Sequence, residues 1–293
     1  KQDKKNEMIF RYFFFSFLNF IFAFNLNSHD CIPFSDAKAI IKGFPKEPIS
    51  VINDDITLEE AYCAQEKVNY LLKKKYNDQI GYKVGFTGKS LQERFKINTP
   101  ATGTLYRHMF LANNSIISKD FGYRTFIEPD ILVIIKDANI MNAKSDLDLM
   151  RGIDSIHPFI EIPALRFKKG INVNGNMLIA TNMLATKMVM AEEGIKFKSN
   201  KEGVEKFANL NTILADKNNN IIQSSSTKNL MGNPLNVLRW LIDDFNSREI
   251  VLKKGDRISL GSVGKLFPLT NNTYKYYFEG YENEKNIVKL KVN

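Results

Sequence analysis

Three carboxylates and one lysine of this chain sit among neighbours that favour burial. Glu128 and Asp130 stand two apart in Ile127-Glu128-Pro129-Asp130, directly ahead of the apolar run Ile131-Leu132-Val133-Ile134-Ile135. A strand repeats every two residues, so both acids point to the same face at its mouth. Glu161 lies in a second apolar run, Pro158-Phe159-Ile160-Glu161-Ile162-Pro163. There an unpaired ionised carboxylate is costly or gives up its charge. Three converging acids repel one another unless a cation lies between them, and an all-oxygen set suits a hard ion such as Mg²⁺, Ca²⁺ or Mn²⁺. Spacing alone leaves a second reading open, because E-x-D at a strand end also describes a solvated loop rim.

The lysine is Lys83, in Gly81-Tyr82-Lys83-Val84-Gly85-Phe86-Thr87, which reads as a short strand. Buried, Lys83 would have a lowered pKa and could move protons. On an alternating surface strand it would instead snorkel to solvent. Gly88-Lys89-Ser90 is not a phosphate-binding loop, since Lys83 occupies the place of that motif's first glycine. His108 and His157 read as packed histidines.

The elements that position these residues follow from local patterns. Thr57 with Glu60 three residues on forms a capping box, and Leu58, Ala61, Tyr62, Val68, Leu71 and Leu72 recur near helical spacing behind it. Further helices are expected over 89–97, over 147–153 and after the Gly/Pro turn at 231–234. Residues 210–215 and 221–225 pattern as a hairpin, and strands are expected at 115–117, 257–260, 274–279 and 286–292. Many strands with few helices give a β-rich α+β body.

The 293 residues carry a formal net charge of +9. The excess is spread along the chain with no basic stripe and no nucleic-acid motif, which argues against DNA or RNA as partners. Residues 1–28 combine early Lys and Arg with an apolar run over 9–24, an export signal-like segment too short for a comfortable bilayer span. The expectation is an exported protein, periplasmic or secreted; the alternative is one anchored in the inner membrane by that segment left uncleaved, its only membrane contact. Residues 29–80 read as a helical lead-in and 81–293 as the main domain. The two cysteines, Cys31 and Cys63, make no disulfide framework. They read as unpaired thiols, with pairing open in an oxidising compartment.

From about Thr57 onward the order of motifs resembles the 2-keto-4-pentenoate hydratase group of the fumarylacetoacetate hydrolase superfamily. The resemblance rests on Glu60-Ala61-Tyr62-Cys63-Ala64-Gln65, the Lys83 segment, Gly103-Thr104-Leu105-Tyr106, the two acidic segments with Arg166, Ala180-Thr181-Asn182, Gly232-Asn233-Pro234-Leu235-Asn236, Trp240-Leu241 and Gly255-Asp256. It implies a β-rich mixed roll of the fumarylacetoacetate hydrolase C-terminal-domain type, assembled as a homo-oligomer. It also implies Mg²⁺ or Mn²⁺ held by Glu128, Asp130 and Glu161, with Lys83 as the catalytic group. Arg166, Asn182 and Ser262 are the expected substrate-binding residues. The implied activity is a hydratase acting on a small unsaturated 2-keto acid. A decarboxylase or C–C hydrolase of the same superfamily, or an exported relative that binds metal or keto acid without turnover, are the alternatives. Three positions differ from the family pattern: Ala101 stands where an acid is usual, Thr181 where Asp is usual and Leu184 where Ser is usual.

Overall fold

The computed structural model describes residues 31–293. The export signal-like segment at 1–28 lies outside them. No helix among the described residues is long and apolar enough to cross a membrane. The helices are α1 (Phe34–Ile41), α2 (Leu58–Tyr76), α3 (Lys89–Arg94), α4 (Asp146–Gly152), α5 (Gly175–Ala180), α6 (Lys201–Ala208) and α7 (Pro234–Ser247). The strands are β1 (Gln79–Gly85), β2 (Ala101–Tyr106), β3 (Phe110–Leu111), β4 (Ser115–Ile117), β5 (Phe126–Ile135), β6 (Ile153–Ile162), β7 (Lys187–Met190), β8 (Asn211–Ala215), β9 (Ile221–Ser226), β10 (Arg257–Ser262), β11 (Phe267–Pro268), β12 (Asn272–Phe278) and β13 (Val288–Val292).

Helix α2 starts where the capping box places it: the Thr57 hydroxyl accepts from the Glu60 N–H, and the Glu60 carboxylate accepts from the Thr57 N–H. Its buried stripe, Ala61, Ala64, Val68 and Leu72, shares a core with α1 and α5. Buried Gln65 ties α2 to the body by donating to the carbonyls of Thr102 and Ile179.

The strands form two sheets, giving the α+β, β-rich architecture that the pattern of segments implies. The larger runs β2-β1-β10-β5-β6-β7-β3, with β11 paired to β5, and the smaller runs β4-β13-β12-β8-β9. Pairs in the larger sheet are mostly antiparallel, but β1 lies parallel to β10. Alternation decides which face each residue serves. On β5, Ile127, Ile131, Val133 and Ile135 enter the core shared with the smaller sheet and α7. Leu132 enters the other core, beneath α1, α2 and α5. Glu128 and Asp130 have the parity of Leu132, and on β6 Glu161 has that of Phe159, which enters the same core. The acids therefore face the helical lead-in.

Cys31 and Cys63 form a disulfide with Cα atoms 6.0 Å apart, which corrects the expectation of two free thiols. Packing of α1 on α2 brings the residues just before α1 beside the second turn of α2, a proximity no local pattern encodes. The bridge closes a separation of 32 residues. Closing a loop of that size restricts the unfolded chain and stabilises by about 2–4 kcal/mol. Reduction, or Cys63→Ser, is expected to lower the unfolding free energy by that order, read as a lower denaturant midpoint. An unchanged midpoint after verified reduction would show that the bridge contributes nothing.

Candidate active site

The centre of the site is set by strand register. Glu128 on β5 and Glu161 on β6 are direct partners, and Asp130 lies two residues further along β5, opposite Phe159. On the other side, Lys83 of β1 pairs with Ser259 of β10, which pairs with Leu132 of β5. Four strands thus bring one ammonium and three carboxylates onto a single face. Sequence spacing places Glu128 and Asp130 together; only the fold adds Glu161 and Lys83.

Lys83 is 6% exposed and Glu161 is 1% exposed. The lysine Nζ lies 2.5 Å and 2.6 Å from the two Glu161 oxygens and donates to the Met183 carbonyl at 3.1 Å. Burial pulls the Lys83 pKa down, but the charges of Glu161, Glu128 and Asp130 outweigh it and hold the pKa above the usual lysine value. This corrects the expectation that burial alone would free Lys83 of its proton. Asp130 is fully buried. It accepts from the N–H groups of Ile131 and Gly261, and from the Ser259 hydroxyl at 2.7 Å. Burial, then the charges of Glu161 and Glu128, raise its pKa well above the carboxylate range. Burial and Glu161 also push Glu128 up to about 7, against the opposing pull of Lys83 and a bond from Ser262.

The Gly261 N–H reaches Asp130 because β10 carries an extra residue there. Ser259 is opposite Leu132 while Ser262 is opposite Asp130, so three steps on β10 match two on β5. Gly261 takes φ +97°, and a Cβ there would lie 2.6 Å from the Thr87 hydroxyl and 2.9 Å from the Val84 carbonyl. Only glycine suits this bulge.

The segment over Lys83 is strained. Asn182, Met183 and Leu184 take φ of 58°, 50° and 58°, three successive left-handed residues that each cost about 1–2 kcal/mol. The Asn182 side chain holds this turn against β2, its Oδ1 accepting from Thr104 N–H and its Nδ2 donating to Thr104 C=O. Asn182 is therefore spent on the backbone and holds in place the carbonyl that Lys83 uses, in contrast to the expected substrate contact. Thr181 is likewise spent, its hydroxyl donating to the Met177 and Leu178 carbonyls at the end of α5, and Ala101 is buried at the start of β2 opposite Gly85.

Arg166 also requires correction. Its guanidinium donates to the carbonyls of Glu47, Ile40 and Lys42 and stacks on Phe44. It ties the end of α1 to the body instead of facing a substrate, and burial lowers its pKa to about 10. Ser262, by contrast, stays at the site: half-buried, it pairs with Asp130 and lines an open cleft of about 940 Å³. The histidines are packed: His157 bonds Ser155 and the Ala191 carbonyl, and His108 stacks on Tyr76. Sequence reasoning missed Ser259, Gly261 and the Met183 carbonyl. The pairing of β1 with β10 puts Ser259 beside Lys83, and no local signal marks any of the three.

Among the described residues no three acid, histidine or cysteine side chains are gathered as ready metal ligands. Each buried carboxylate is turned toward a donor of the chain itself: Glu161 to Lys83, Asp130 to β10. Three carboxyl groups nonetheless gather oxygen acceptors on one buried face, with Lys83 neutralising Glu161. A hard divalent ion suits that oxygen-only set.

No family model matches the chain. It is 22% identical over 235 residues to the TodF product hydratase of Pseudomonas putida, covering 79% of this chain and 84% of that protein. It is 21% identical over 227 residues to a 2-keto-4-pentenoate hydratase of Burkholderia vietnamiensis, covering 77% and 83%. Its fold matches 4-oxalocrotonate decarboxylase from Pseudomonas putida G7, complexed with magnesium and adipate, with a TM-score of 0.76 at 17% identity over 89% of this chain and 97% of that one. A fumarylacetoacetate hydrolase family protein from Yersinia pestis matches with a TM-score of 0.51 at 12% identity, over 74% and 94% of the two chains.

Two outcomes test this geometry. In metal-free protein, folded Glu128 keeps its proton to about pH 7 and the unfolded residue only to about 4.5. The folded state then binds more protons across that window, so stability falls as pH rises through it. Glu128→Gln is expected to flatten that slope in thermal melts; an unchanged slope would show that Glu128 is not held against Glu161. Arg166→Met strands three carbonyls and is expected to cost about 2–4 kcal/mol of stability, read by denaturant unfolding.

Proposed function

We propose that this chain, a hydratase-like member of the fumarylacetoacetate hydrolase superfamily, is a metal-dependent lyase that adds water to a small unsaturated 2-keto or 2-hydroxydienoic acid. The observation that carries the reading is the burial of Lys83 with Glu161, Glu128 and Asp130 on one face of the larger sheet. Glu128, Asp130 and Glu161 would hold the ion, Mg²⁺ or Mn²⁺, which supplies Lewis-acid stabilisation of negative charge developing on the keto oxygen. Lys83 Nζ, held protonated between Glu161 and the Met183 carbonyl, would give a proton to the terminal carbon of the dienol and take up the one the enol oxygen releases as the double bonds shift. The left-handed turn at Asn182 keeps the Met183 carbonyl in place for it. Water added across the conjugated double bond gives a 4-hydroxy-2-keto acid.

Decarboxylation is the second reading. It is favoured by the fold match over nearly the whole length of a 4-oxalocrotonate decarboxylase. Release of CO₂ in place of formation of the water adduct would select it. The Cys31–Cys63 disulfide suits an oxidising compartment, in line with an exported protein.

Purified protein incubated with Mg²⁺ and 2-hydroxypenta-2,4-dienoate is expected to consume the dienol, followed by loss of its absorbance. EDTA should abolish this, and Lys83→Ala should reduce it by about 10²-fold or more. Glu161→Gln should weaken Mg²⁺ binding in calorimetry. Unchanged Mg²⁺ affinity in that variant would remove Glu161 from the ligand set, and tight Mg²⁺ binding without turnover would leave a binding protein in place of an enzyme.

A further inference from the structure

The outer side of the helical lead-in carries aromatic rings and cations that the acid site does not use. On α2, Ala61, Ala64, Val68 and Leu72 turn into the core, while Lys67, Tyr70 and Lys74 recur at three and four residues on another side. On α1, Phe34 and Lys38 share a side at i and i+4, and both are exposed. The Phe34 and Tyr70 rings meet edge to face at 5.9 Å, and each is half exposed, at 47% and 50%. Lys67 Nζ lies 5.7 Å from the centre of the Phe34 ring, and Lys74 Nζ lies 4.6 Å from that of Tyr70. Residues 66–76 hold Lys67, Lys73, Lys74 and Lys75 against the single acid Glu66. Neither these lysines nor Lys38 form an ion pair among the described residues.

The preceding chain joins the fold on this side. The Cys31–Cys63 disulfide and the bond from Lys67 Nζ to the Ile32 carbonyl, 2.9 Å, fix residues 31 and 32 against α2 beside the two rings. The apolar run of the sequence is 9–24, and only residues 25–30 stand between it and Cys31. An extended chain spans at most about 3.6 Å per residue, so the run and Cys31 are separated by no more than about 25 Å. Where a run of that composition meets lipid, the face of α1 and α2 is held within that reach of the bilayer surface.

We propose that this face of α1 and α2 lies on an anionic lipid bilayer, with Phe34 and Tyr70 at the headgroup level and Lys38, Lys73 and Lys74 against the lipid phosphates. Aromatic side chains settle at the boundary between hydrocarbon and water. Lysines held near an anionic surface add attraction, and their long stems lie along the apolar rings while the ammonium groups reach the phosphates. A second copy of the chain fits less well. A two-fold contact through this face would set the same unpaired cations against one another. Membrane contact then extends beyond the N-terminal segment, and nothing in it depends on the lyase reading.

The test reads lipid contact in the full chain. Vesicles of phosphatidylglycerol and of phosphatidylcholine are titrated with protein, and bound protein is measured by sedimentation. Phosphatidylglycerol is expected to be preferred by about tenfold or more at 0.1 M salt, and the preference should fall to within about threefold in Lys38→Ala/Lys73→Ala/Lys74→Ala. A control variant with Lys217, Lys253 and Lys254 changed to Ala, all exposed and outside α1 and α2, should keep it. Contact itself is read by fluorescence. Tyr70→Trp with Trp240→Phe puts the chain's single tryptophan at position 70, where lipids brominated on their acyl chains should quench it. Ile221→Trp on the same background, 62% exposed at the edge of the smaller sheet, should stay unquenched. No binding, binding without lipid preference, a preference that survives the helix variant, equal loss in the control, or equal quenching at 70 and 221 would each overturn the proposal. So would a Phe34→Ser/Tyr70→Ser variant that halves the mass in solution and keeps its vesicle affinity, which would assign the face to a second copy.

Discussion

A lysine ammonium and a glutamate buried against each other in the middle of a sheet face constrain everything around them. Taking two ions out of water costs more than their mutual attraction returns unless the remaining donors and acceptors are also met. Lys83 meets this with both Glu161 oxygens and the Met183 carbonyl. That carbonyl exists in place only because three non-glycine residues accept left-handed backbone, and the Asn182 amide, bonded to both polar groups of Thr104, offsets part of that strain. A protein selected for stability alone would fill this face with aliphatic side chains. Strain and buried charge are kept together at one spot, the combination from which the proposed function is argued.

The same pair governs the neighbouring acids. Glu161 lies directly across from Glu128, and one ammonium cannot neutralise three carboxylates, so Glu128 and Asp130 are driven toward their protonated forms. Ser259, Ile131 and Gly261 satisfy Asp130 without adding positive charge. The face is left with acceptors in excess of cations, the condition under which a hard divalent ion is favoured over further protein donors.

How much of this was legible in the sequence depended on the range of the contact. The capping box at Thr57, the β8–β9 hairpin and the shared face of Glu128 and Asp130 are local, set by periods of 3.6 and 2, and they appear where the pattern puts them. The order of motifs carried the rest of the acid set, because their joint spacing reflects a fold that single segments do not reveal. Arg166 and Asn182 were misread because their partners lie 119–126 and 78 residues away, and a polar residue in a conspicuous motif looks the same whether it faces substrate or backbone. Lys83 was read for burial without the charges that reverse its effect. The disulfide depended on α1 folding back on α2, which no spacing of two cysteines announces.

The bulge at Gly261 connects the two halves of the site. One extra residue on β10 turns an N–H onto Asp130 and at the same time lets the chain leave the sheet, crossing Glu128 before it pairs again at Phe267. Without the bulge β10 would continue in register, and residues 263–266 would lie on a strand instead of in the loop that lines the open cleft. The single device that completes the hydrogen bonding of Asp130 thus also sets Lys265 in the wall of the cleft. The buried carboxyl face and the exposed position of Lys265 are thus both consequences of one backbone irregularity.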